Sequence, residues 1–104
     1  MKQVFGRQGD VAIQKVDALP EGQEVKRENG KLILAYGEVT GHSHAIAAPQ
    51  IKMIQVADGS RYLEAQTSFT VRHQEHAPLT FPPGVYHVWQ QREYSPSALR
   101  FVQD

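Results

Sequence analysis

The chain contains no cysteine, which excludes a disulfide framework, thiolate zinc ligation and a cysteine nucleophile. It also lacks a surplus of either charge: 11 Lys and Arg against 11 Asp and Glu give a formal net charge of zero. A nucleic-acid-binding surface normally carries a basic excess, so no nucleic-acid partner is expected. No apolar run approaches the roughly 20 residues that cross a bilayer as a helix, and no membrane partner is expected. Residues 1–16 do not place a charged segment before an apolar one, the pattern of a secretory signal. These absences predict a cytoplasmic protein. Apolar residues make up 40% of the 104, enough for one thin core, and a single domain over residues 1–104 is expected.

Helical periodicity is scarce as well; short β-prone runs separated by turn signals take its place. Asn29-Gly30 and Asp58-Gly59 each stand between apolar-alternating runs, the strongest local signal for a hairpin. Pro82-Pro83-Gly84 reads as a type II turn. The runs predict strands over 11–16, 31–36, 38–46, 51–57, 61–66, 68–72, 79–81, 85–94 and 99–102. On the strand over 85–94, Val85, His87 and Trp89 share one face, and Tyr86, Val88 and Tyr94 the other. The fold class is therefore all-β: one small antiparallel barrel or sandwich, with a jelly-roll or cupin-like form among the options.

All five histidines lie between positions 42 and 87, and neutral imidazole is the commonest protein metal ligand. His42 and His44 stand at i and i+2 of an extended run. They share a face about 7 Å apart and can converge on one ion. His73 and His76 would point to opposite faces of a strand, but a turn before Pro78 would let both face one point. The four histidines His42, His44, His73 and His76 are the candidate metal ligands. Glu75, between the second pair, is the candidate catalytic base, ligand or orienter. Ser43 has no GxSxG setting, and no glycine here has the Lys-Ser/Thr ending of a phosphate loop. If Gln91 and Glu93 continued an inward face of Val85, His87 and Trp89, they would lie beside the histidines.

Two resemblances follow from these strings. His42-Ser43-His44 and the Pro82-Pro83-Gly84-Val85-Tyr86-His87 stretch resemble the HxH and PxGxxH motifs of cupins. The glutamate that follows HxH in cupins is absent here, where Ala45-Ile46-Ala47-Ala48-Pro49 stands instead, so only His42, His44 and His87 carry over. Residues 37–44 (GEVTGHSH), 75–88 (EHAPLTFPPGVYHV) and 91–94 (QREY), with 9–16 and 61–64, resemble a group of short uncharacterised bacterial and phage-encoded proteins. That group has no established activity, so the resemblance implies homology and not chemistry.

The expected function is metal binding by a small β-domain with a histidine-rich site, as a metal-dependent hydrolase or other metalloenzyme. Three imidazoles would leave one position open for a water whose pKa falls toward ~7 on the ion. The cofactor expected is a divalent transition metal, zinc first, with iron, manganese, nickel or copper also compatible with nitrogen and oxygen donors. The partners expected are an unidentified small molecule or protein and further copies of the chain in a homo-oligomer, which would cover strand edges. The alternative is a non-enzymatic, phage-related interaction or assembly module whose histidines serve structure.

Overall fold

The computed structural model describes residues 4–36 and 42–90. Ten strands follow one another: β1 (Phe5–Gln8), β2 (Val11–Val16), β3 (Gln23–Glu24), β4 (Leu32–Tyr36), β5 (Ser43–Ile46), β6 (Ile51–Gln55), β7 (Arg61–Ala65), β8 (Phe69–Val71), β9 (Leu79–Phe81) and β10 (Gly84–Gln90). The described residues contain no helix, and therefore none long and apolar enough to cross a membrane. The expected all-β class holds. The main sheet has six strands in the order β1-β2-β10-β7-β6-β3, with every neighbouring pair antiparallel. Among the described residues its order has two ends, which makes it an open sheet. Two hairpins, β4-β5 and β8-β9, form the second layer. The reciprocal backbone bonds of Ala45 and Arg72, 2.9 Å each, join them edge to edge.

Alternation along the strands explains where the core lies. On β10, Tyr86 and Val88 are buried while Val85, His87 and Trp89 are half-exposed, as period-2 geometry requires. The same face of the main sheet contributes Ile13, Met53 and Leu63. The second layer contributes Leu32, Leu34, Ile46, Phe69, Val71 and Phe81. Tyr86 packs edge-on against Phe69 and Phe81, and its hydroxyl donates to the Pro82 carbonyl at 2.6 Å. Arg61 reaches between layers to the Leu34 carbonyl at 2.6 Å.

Three features depart from the sequence expectations. The Asn29-Gly30 turn forms, with φ of +53° and +79° as a type I′ turn needs. However, it closes only the single bridge Glu28–Lys31, because the chain before it runs along β6 instead, with the Val25 N–H donating to the Met53 carbonyl at 2.7 Å. Gly84 has φ +153°, far from the +80° of a type II turn. It opens β10, which leaves the β8-β9 layer to enter the main sheet. Two strands, β1 and β3, escaped the pattern reading. The first is short and interrupted by Gly6, whose Cβ would meet Phe81 Cζ at 2.6 Å. The second is only two residues long. The expected strand over 99–102 lies outside the described residues.

Leu63, fully buried at the centre of the main sheet, sets a test of this packing. Leu63→Ala is expected to lower unfolding free energy by about 2–5 kcal/mol, measured by urea denaturation. A loss below about 1 kcal/mol would contradict the two-layer core.

Candidate metal centre

The four candidate ligands come from two second-layer segments that the Ala45–Arg72 bridge holds side by side. On β5, Ile46 pairs with Leu32 and Ala45 with Ile33. A bulge then shifts the register, so that His44 lies across from Ala35. The shift buries Leu34 and Ala35 in succession and leaves the small Ala35 facing the imidazole. His44 is consequently turned inward and only 3% exposed. His42 precedes the strand. His73 and His76 lie on the turn between β8 and β9, which is pinned to the start of β5 by the Ser43 N–H donating to Gln74 Oε1 at 2.9 Å. The turn that the sequence required for these two histidines is thus present.

The rings come together. His73 stands 4.3 Å from His44, 4.7 Å from His76 and 5.8 Å from His42, centroid to centroid. His44 and His76 are 5.9 Å apart and nearly parallel. Glu75 lies at the rim with its Oε2 3.5 Å from His42 Nδ1. Its backbone N–H donates to His73 Nδ1 at 3.0 Å. His42 Nδ1 is buried without a hydrogen-bond partner, the kind of orphaned polar atom that calls for an explanation. As the side chains stand, no group of three or more His, Asp or Glu among the described residues meets the geometry for holding a metal ion.

The floor of the cluster is the β1-β2 hairpin, of which the residue pattern predicts only β2. Gln8 pairs with Val11 around a two-residue turn, Gly9-Asp10, with Gly9 at φ +58°. Glycine with positive φ in the first central position is the II′ pattern. Gly-Asp between β-prone runs was the signal available for it. The Gln8 side chain is buried and fully used. Its amide donates to the carbonyls of Val71 at 3.1 Å and Ala77 at 2.8 Å, and its Oε1 stands 2.9 Å from His44 Nδ1. Because Oε1 can only accept, His44 carries its proton on Nδ1 and presents a lone pair on Nε2. That atom is 3.7 Å from Asp10 Oδ1. Asp10 Oδ2 accepts from Gln90 Nε2 at 2.7 Å. Gly9 admits this crowding, since a Cβ there would lie 2.9 Å from His76 Nε2.

Two of the four imidazoles are held toward the uncharged form. Burial pushes the His44 pKa down to about 4, with His73 and His76 adding to the shift and Asp10 opposing it. His73 is also lowered, first by desolvation and then by His76 and His42. Neutral imidazole is the ligating form.

His87 is elsewhere. It stacks between Tyr62, 4.8 Å away, and Trp89, 4.9 Å away, on the outer face of the main sheet. The cupin-type set of His42, His44 and His87 therefore does not assemble. The same observation corrects the inward face assigned to Val85, His87 and Trp89: Tyr86 and Val88 are the inward residues. Gln91, Glu93 and Tyr94 lie outside the described residues.

The depressed His44 pKa makes apo-protein stability pH-dependent. Unfolded histidine titrates near 6.5, so between that value and about 4 the unfolded chain binds the extra proton. Stability is then expected to fall on acidification through this window by up to about 3 kcal/mol. Chelator-treated protein melted between pH 7.5 and 4 should show the loss, and His44→Gln should flatten it. Equal slopes for the two proteins would contradict the assignment.

Among known proteins, no curated sequence and no solved structure matches this chain. A family model does, described as a domain of unknown function, DUF8820, and it spans residues 7–91. That span takes in both layers of the sheet and every residue of the histidine cluster, and the chain belongs to the DUF8820 family.

Proposed function

We propose that this chain is a metal-binding β-domain whose cluster of His42, His44, His73 and His76 holds a divalent transition metal, zinc first among the ions its donors suit. The observation that carries the reading is the convergence of four imidazoles from two separate segments. One of them, His44, is a buried, neutral ring whose free nitrogen faces Asp10. Four histidines serving structure alone would each be expected to find a hydrogen-bond partner, yet His42 Nδ1 has none. Iron, manganese and nickel suit the same donors, and affinity order alone does not separate them.

The reaction class that fits is metal-assisted hydrolysis. An ion with an open position would supply an activated water, and Glu75 at the rim would take its proton. A depression of about 400 Å³ opens beside His73, lined also by Lys31, Ser43, Thr70, Arg72 and Gln74. Among the described residues its lining holds two cations, Lys31 and Arg72, and no carboxylate, which favours a small anionic substrate.

Titration of tag-free protein with zinc chloride is expected to give one equivalent bound. At a free concentration of about 100 Kd, the ion should raise the melting temperature by about 10–20 °C. Chelator should reverse the shift, and His76→Ala, an exposed position, should abolish it. Less than about a tenth of an equivalent after zinc, iron, manganese and nickel have each been offered would end this reading.

A second reading, a phage-related interaction or assembly module, draws on the outer face of the main sheet. There Phe5, 53% exposed, adjoins the Trp89–His87–Tyr62 stack. In that case Phe5→Ser with Tyr62→Ser would dissolve a homo-oligomer seen by light scattering, while zinc would leave the melting temperature unmoved.

A further inference from the structure

Asp10 and the lone pair of His44 pose a physical problem. With His44 Nδ1 donating to Gln8, Nε2 is an acceptor, and it faces a carboxylate oxygen at 3.7 Å. Two acceptors pointed at one another repel unless a proton or a cation lies between them. A shared proton would draw the two atoms to hydrogen-bond distance, about 2.7–2.9 Å, well inside the 3.7 Å observed. Two donors bound tetrahedrally to one ion at about 2.0–2.1 Å stand about 3.3–3.4 Å apart. The observed gap is only slightly wider.

Neither group is free to turn away. Gln8 clamps His44, and it cannot flip, because its amide nitrogen is committed to two backbone carbonyls. Gln90 clamps Asp10 through Oδ2, leaving Oδ1 as the oxygen directed at His44. The third donor is His76 Nε2, packed over Gly9 in the same turn. His73 differs from the other three histidines. Its Nδ1 is occupied by the Glu75 N–H, so the neutral ring has only an N–H at Nε2 and no lone pair to offer.

We infer that Asp10 is a metal ligand, and that the ion is held by His44 Nε2, His76 Nε2 and Asp10 Oδ1, with Gln8 and Gln90 as the positioning residues behind two of them. This assignment rests on the metal reading above and narrows it to a two-histidine, one-carboxylate set. His42 and His73 then stand beside the ion, not on it. Outer partners of this kind fix ring tautomer and carboxylate orientation in metal sites. Two nitrogens and one oxygen suit zinc with an open position, and equally iron(II) in a facial triad.

Zinc chloride titration of the wild type, Asp10→Asn, His76→Ala and His73→Ala, all without a histidine tag, tests the assignment. Asparagine keeps an acceptor for Gln90, so Asp10→Asn should melt within a few degrees of wild type in chelator while binding zinc at least tenfold more weakly. His76→Ala should lose binding at least as severely, and His73→Ala should lose less than tenfold. If Asp10→Asn binds zinc as tightly as wild type while His76→Ala does not, Asp10 is not a ligand and the metal reading survives without it. Should wild type itself take up no zinc, both fall. A second measurement needs no variant. Nitrogen-15 shifts of the metal-free protein should show His44 as the Nδ1–H tautomer, and the Nε2–H tautomer would overturn the assignment.

Discussion

The buried amide of Gln8 is the constraint on which this arrangement depends. One side chain at the end of β1 donates to β8 through Val71, to the following turn through Ala77, and accepts from His44 on β5. It therefore ties the main sheet to both hairpins of the second layer at one corner. A buried primary amide with fewer partners would cost about 1–3 kcal/mol for each unsatisfied group. With all three made, the corner is rigid and the tautomer of His44 is set. The histidine chemistry is thus a consequence of a hydrogen bond made for the fold.

Around that corner, exposure is divided unequally. His44 is locked between Gln8 and the small Ala35, and Asp10 is held at one oxygen by Gln90. His73, His76 and Glu75 ride on a turn whose side chains are half or fully exposed.

Much of the fold could be read from residue order alone, because its signals are local. Alternation marked β2, β6, β7 and β10 to within a few residues, and Asn29-Gly30 and Asp58-Gly59 marked real turns. What failed was non-local. Which face of β10 was inward could not be decided from Val85, His87 and Trp89 against Tyr86 and Val88, because both sets are apolar and aromatic. The grouping of the four histidines was accessible from HxH spacing and a turn before Pro78. Their floor was not. Gln8 and Asp10 lie some 30 residues or more from the nearest histidine in the chain, and nothing about a glutamine announces a ligand orienter. Only the pairing of β1 with β2, and of β2 with β10, brings Gln8, Asp10 and Gln90 beneath His44.

The central claim is that the histidine corner is a metal site. A crystal grown or soaked with zinc, with anomalous data collected on either side of the zinc edge, tests it most directly. The account predicts one strong anomalous peak within about 2.0–2.2 Å of His44 Nε2 and an Asp10 oxygen. A peak at the Tyr62–His87–Trp89 face instead, or no peak at the Gln8 corner in zinc-saturated crystals, would contradict it.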